Sequence, residues 1–297
     1  MIDLLKVACS YRVPVEMMRW PLLAQEVNAE RIVILGWGRA ILLQFAHPLV
    51  AAGVAEHSRF AANPGLALDR LHGTVSAMLA FTFGPQEAAV EAAWRIARVH
   101  DRVHGVLPQP VGPYPAGTPY SAHDPALLTW VHATVVDSTL LAYERFVRPL
   151  TPAERDRYCA ESRGMEGWLG LEPGTLPGSW GELQDYLERM RRSGQIVVGE
   201  TARRLARQLL WPALPVWLRP AARLWRLASI GLLPDELRAA YRFDWRRRDQ
   251  LALVVISRSI RATLPWWPPA LRFWPAARAG RQDWPEPQLS QAVEDRR

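Results

Sequence analysis

Lysine is almost missing from this 297-residue chain: Lys6 is the only one among 36 basic residues. So strong a bias toward arginine follows from a GC-rich genome and carries little functional weight. The net charge of +7 permits attraction to anionic lipid, nucleic acid or an anionic cofactor without choosing among them. Cysteine is scarce as well. Cys9 and Cys159 provide neither a disulfide framework nor a Cys-based metal site. The chain has no Gly-rich phosphate loop and no Gly-x-Ser-x-Gly elbow, which removes the nucleotide-binding and hydrolase classes built on them. It has no Glu-x-x-His pairs, which removes a di-iron carboxylate bundle. There is no internal repeat and no clear linker. Met1–Tyr11 lacks the apolar core and cleavage site of a signal peptide, so cytoplasmic residence is the expectation.

What is present reads as helix. Apolar residues make up 49% of the chain, enough for a substantial interior. Strand-like alternation is scarce, and Val254–Ile256 is the best candidate. The longest apolar run, Ile32–Ala55, carries Arg39, Gln44, His47 and Pro48. Charge is costly inside a membrane span, so the run reads as two buried helices, Trp37–Ala46 and one from Pro48 to about His57. Helices follow over Leu66–Thr82 and Gln86–His104, the second ended by Gly105. After a proline- and glycine-bearing loop, Val106–Tyr120, Asp124-Pro125 starts a helix that runs to about Val147. Thr151-Pro152-Ala153-Glu154 is a capping-box start. Ser179–Arg192, Glu200–Leu210, Leu233–Tyr241 and Arg247–Thr263 complete the set. The expectation is all-α: one multi-helix domain over 1–264. Residues 265–297 form a Pro/Trp/Arg-rich tail, extended against the body at first and disordered over the last dozen positions.

The informative constellation is His100, His104 and His132. At 100° per residue, His100 falls among Ala89, Ala92, Ala93, Ile96, Val99 and Val103, with Glu91, Arg95 and Arg98 on the far side. His104 lies one turn on. His132 shares its face with Leu128, Val135, Val136, Thr139, Tyr143 and Phe146. A buried imidazole needs partners, because burial disfavours its charged form and unmet polar groups are costly. Two readings stay open. Each ring hydrogen-bonds a backbone carbonyl or hydroxyl, or one ring serves as a metal ligand, as a haem iron requires of a single axial histidine.

Arg70 and Arg39 lie in helices apolar on more than one side, so each cation needs an anion. An internal carboxylate such as Glu56 would answer Arg70. Haem propionates would answer both. His100-Asp101-Arg102-Val103-His104 also approximates a zinc-binding H-E-x-x-H, with His132 as third ligand of a hydrolase site. The second half interleaves Arg203, Arg204, Arg207, Trp211, Trp217, Arg219, Arg223, Trp225 and Arg226. Such a stretch suits either a solvated face over buried tryptophans or a non-catalytic surface for membrane or nucleic acid.

An ordered series of short motifs completes the pattern: Gly38-Arg39-Ala40, Gln44, His47-Pro48, Glu56-His57-Ser58, Arg70 with Thr74, and Thr82-Phe83-Gly84. His100 with His104-Gly105, Tyr120-Ser121-Ala122-His123-Asp124-Pro125 and Trp130-Val131-His132 follow. Over about Val33–Ala240 the series resembles the MpaB-type oxygenases, which include the latex-clearing rubber oxygenases. The resemblance implies an all-helical fold around a haem b. His100 is its proximal iron ligand by order and spacing, His104 the alternative, and His132 a second pocket histidine. Arg70 and Thr74 would lie by the distal site, and Glu56 would match a proposed base. The expected partners are O₂ and a small apolar substrate, isoprenoid or lipid, without nucleic acid, and the Arg/Trp-rich second half adds peripheral membrane contact. One position departs from the pattern. Rubber oxygenases carry a lysine just before the threonine, where this chain has Gly73.

Overall fold

The computed structural model describes residues 22–57, 64–212 and 214–279, without the side chains of 22, 64–72 and 279. The fold is all-α, 71% helical, with a single two-stranded sheet among the described residues.

Chain order starts with α1 (Leu22–Ala29), a 3-10 turn (Arg31–Gly36), α2 (Trp37–Phe45) and α3 (Pro48–His57). Pro48 lacks an amide hydrogen to donate, so α2 cannot run through it, and its fixed φ suits the first turn of α3. The two segments, Arg31–Phe45 and Pro48–His57, meet at 105°. No single described helix is long and apolar enough to cross a membrane. Helices α4 (Pro64–Phe83) and α5 (Gln86–His100) pack as a pair, with Phe81 against Ala89, Ala92 and Ala93.

The sequence pattern carried α5 to His104, but the helix ends at His100. Residues 104–106 form β1 (His104–Val106), antiparallel to β2 (Pro119–Ser121), with His104 opposite Ser121 and Gly105 opposite Tyr120. Strand pairing and the bonds from Ala122 N to Val103 O and from Leu107 N to Thr118 O take up backbone groups that a longer helix would have used. The expected loop therefore holds a strand that staples the end of α5 to the start of the next helix.

That helix, α6 (Pro125–Phe146), is the axis of the core. The Asp124 side chain caps it, accepting from Ala126 N at 2.8 Å, and Pro125 occupies its first turn. Trp130, Leu140, Tyr143 and Phe146 are fully buried along it. Next come α7 (Pro152–Ser162), opened by the Thr151–Glu154 capping box, and the short α8 (Met165–Leu169). Two helices follow, α9 (Trp180–Arg192) and α10 (Glu200–Leu210). Then α11 (Arg219–Gly231), which sequence pattern missed, α12 (Asp235–Ala240) and α13 (Arg247–Thr263) complete the body. Val254–Ile256 is helical: Leu253, Ser257 and Ile260 recur at helical spacing on the buried side of α13.

Close approach to the axis has a steric reason. A Cβ on Gly36 would stand 2.7 Å from the Ala142 methyl and collide with the Ser138 carbonyl oxygen, so only glycine lets the 3-10 turn lie against α6. The expected extended tail is instead two short helices, α14 (Pro269–Arg272) and α15 (Pro275–Ala279). They return the chain to its beginning. Arg272 Nε donates to Glu30 at 2.8 and 3.0 Å, and Arg31 Nε donates to the Phe273 carbonyl. The last dozen residues, Cys9 and the N-terminal segment lie outside the described residues.

Candidate active site

Because the sheet joins α5 to α6, it gathers several histidines at one end of the body. His100 sits at the last helical residue of α5, half-buried, with its ring edge-on to His123 at 5.8 Å between centroids. His123 is anchored in turn by Asp101, 2.9 Å from its Nε2. Desolvation lowers the His100 pKa, the neighbouring His123 lowers it further, and Asp101 opposes them more weakly. At neutral pH the ring is therefore an uncharged imidazole. It makes no hydrogen bond with any described residue.

His132 occupies the first half of α6. Burial lowers its pKa to about 4, against a smaller opposing contribution from a hydrogen bond to the Ser162 backbone at the end of α7. The residue as a whole is half-buried, and Val135, one turn on, is 39% exposed on a helix otherwise deep in the core. Glycine 73 and Thr74 of α4 are exposed, and a Cβ added at Gly73 would meet nothing within 4 Å.

The geometry moves one of the expected residues and gives partners to two others. First, His104 does not share a helix face with His100. It lies exposed on β1 with its carbonyl accepting from His57 Nε2 at 3.1 Å, because the helix has already ended. The zinc reading needed both rings one helical turn apart. Among the described residues no group of three or more His, Cys, Asp or Glu side chains is placed to hold a metal ion. Second, the anion facing Arg39 is Asp137 of α6, at 2.6 Å from Nη1, while Ser138 Oγ accepts from Nη1 at 2.7 Å and the Leu232 carbonyl from Nε at 2.8 Å. Its Nε and Nη1 are thereby engaged within the core. Third, Glu56 stands at the end of α3 as the acceptor of a short hydrogen bond from Tyr120. That bond and burial both raise the pKa of Tyr120, burial more. Arg70 belongs to α4, but its side chain lies outside the described residues.

Sequence reasoning quoted His47 in a motif and assigned it no role. It is buried between α2 and α3, with Nε2 3.1 Å from the Tyr114 hydroxyl, which also donates to Gln195 Oε1. Burial lowers its pKa to about 4, opposed by Asp124, and its Nδ1 has no partner. Only its place in an apolar run, next to a helix-breaking proline, could have marked it. His123 and Tyr120 had no signal of their own, because their roles depend on strand pairing.

Fold and site together define an all-helical domain with desolvated imidazoles at His47, His100 and His132. Residues 24–265 match the family model for "ER-bound oxygenase mpaB/B'/Rubber oxygenase, catalytic domain", and the chain belongs to that family of oxygenases. No curated protein and no solved structure matches it.

Proposed function

We propose that this protein is a haem b-dependent oxygenase that attacks an alkene carbon of a small apolar substrate, isoprenoid or lipid. The observation that carries the reading is His100: an uncharged imidazole, half-buried, with no hydrogen bond to a described residue. Such a donor would hold a haem iron, which takes a neutral imidazole as ligand. The desolvated imidazole of His132 and the open space beside Gly73 support the fit. Bound there, the haem supplies the activation of dioxygen.

The chain's own residues supply the rest. Apolar faces of α4, α5 and α6 bind the substrate and exclude water. Arg70 and Thr74, assigned by the family pattern, orient the oxygen. Glu56 takes an allylic proton at a carboxylate oxygen, and the Tyr120 hydroxyl, which donates to that carboxylate, holds it in position. Glycine 73 leaves the distal side without the lysine that rubber oxygenases carry there. The substrate is therefore not set by likeness to rubber cleavage.

An absorption spectrum tests the proposal. Purified protein, as isolated or after haem addition, gives a Soret band that His100→Ala abolishes while the far-ultraviolet circular dichroism stays unchanged. A protein that remains colourless with haem present, or a Soret band unaltered in the variant, overturns it.

A further inference from the structure

Away from the histidines, one stretch of the surface has a charge of a single sign. No acidic residue occurs between Glu200 and Asp235, while Arg203, Arg204, Arg207, Arg219, Arg223 and Arg226 all fall within it. The first of these are partly accounted for: Arg203 and Arg207 both reach Glu200. The last three are not. They recur at i, i+4 and i+7 on the outer face of α11, whose inner face buries Ala228 and Ile230. None of the three has a carboxylate partner among the described residues, and Arg226 lies over the Trp211 ring at 5.1 Å.

These arginines line one side of an open groove of about 590 Å³, and Leu210, Trp211 and Leu214 line the other. Just before α11, a 3-10 turn (Val216–Leu218) carries Val216, 68% exposed, and Trp217, 76% exposed. We propose that this groove and turn form a docking surface for an anionic phospholipid bilayer. The arginines pair with headgroup phosphates, and Val216 and Trp217 enter the layer just beneath them.

Charge complementarity selects an anionic partner, since unpaired guanidinium groups beside apolar walls match a phosphate carried on an acyl chain. The apolar tip selects lipid over nucleic acid. Phosphate-tracking surfaces stack aromatics on bases, whereas an exposed valine beside a tryptophan gains from an acyl boundary and from nothing in a polynucleotide. Neighbouring arginines contribute about 1 kcal/mol each at an anionic surface, about fivefold in affinity apiece. The surface stands independently of the haem reading.

Co-sedimentation of the full chain with vesicles tests this. Binding is expected to vesicles of phosphatidylcholine containing phosphatidylglycerol, and not to phosphatidylcholine alone, with release at high salt. Arg219→Glu/Arg223→Glu should lose at least about 25-fold in affinity, two arginines at the same increment. Trp217→Ala should weaken binding without removing its salt dependence. Arg95→Glu/Arg98→Glu on α5 changes net charge equally and should bind as the parent does. The proposal is overturned if the parent binds neither or both vesicle types alike, or if the two arginine pairs behave alike. It is also overturned if duplex DNA competes the protein off the vesicles through the same α11 arginines.

Discussion

Asp137→Ala should be among the most damaging single changes in the molecule. Asp137 and Arg39 are both buried, and their charged atoms are 2.6 Å apart. Removing the carboxylate leaves a guanidinium in the core with two neutral acceptors, Ser138 Oγ and the Leu232 carbonyl, and also strips Gln184 Nε2 of its acceptor. Breaking one side of such a pair costs about 3–5 kcal/mol, a large share of a typical total stability of about 5–15 kcal/mol. With a urea dependence of ~3 kcal/mol per molar, the midpoint should fall by about 1–1.7 M. The double change Arg39→Met/Asp137→Leu removes both charges at similar volume and should recover most of the loss. Urea unfolding followed by circular dichroism, with and without haem, measures this. A loss below about 1 kcal/mol refutes the account of the buried pair. If the loss appears only without haem, a cofactor carboxylate is taking the place of Asp137, and Arg39 returns to the cofactor site.

Two further outcomes follow from groups already described. His47 and His132 have pKa values lowered to about 4 in the folded chain. Unfolded histidine titrates near ~6.5, so the unfolded state takes up protons first as pH falls. Stability should be constant above pH ~6.5 and decline down to pH ~4, by about 2 kcal/mol per histidine at pH ~5. His47→Gln should flatten that decline by one proton's worth, and an unchanged slope would show that His47 is not the titrating group. The glycines make a contrasting pair. Gly36→Ala forces the 3-10 turn off α6 and should cost about 1–3 kcal/mol. Gly73→Ala meets open space within a helix and should stabilise by about 0.5–1 kcal/mol. Thermal melts giving the two variants the same sign would contradict the packing described.

Local signals were readable where a single residue type decides the backbone. Pro48, Asp124-Pro125 and Thr151 with Glu154 each fix a helix start through a missing donor or a side-chain cap, and the ends of α10 and α13 coincide with the pattern. Legibility failed where distant backbone decides. The apolar period runs smoothly from Gln86 through His104, and nothing local announces that Tyr120 will pair with Gly105 and stop the helix at His100. That difference removed His104 from the helix face and brought in His123. Arg39 shows the same limit. A lone cation in an apolar helix signals a buried anion, but whether the anion is Asp137 or a ligand is settled only by how α2 crosses α6. α11 went unseen because its arginines mask the apolar period of its inner side.

The fork between Arg272 and Glu30 bears on where this domain can be cut. The family match stops at residue 265, seven positions before the arginine that closes on the chain's opening segment. Glu30 is 3% exposed, so trimming to the matched boundary removes a buried carboxylate's bidentate cation from a site with little access to water. Expressed at that length, the fragment should loosen first around Glu30 and the adjoining α1, and its poor behaviour would be mistaken for a defect of the catalytic centre.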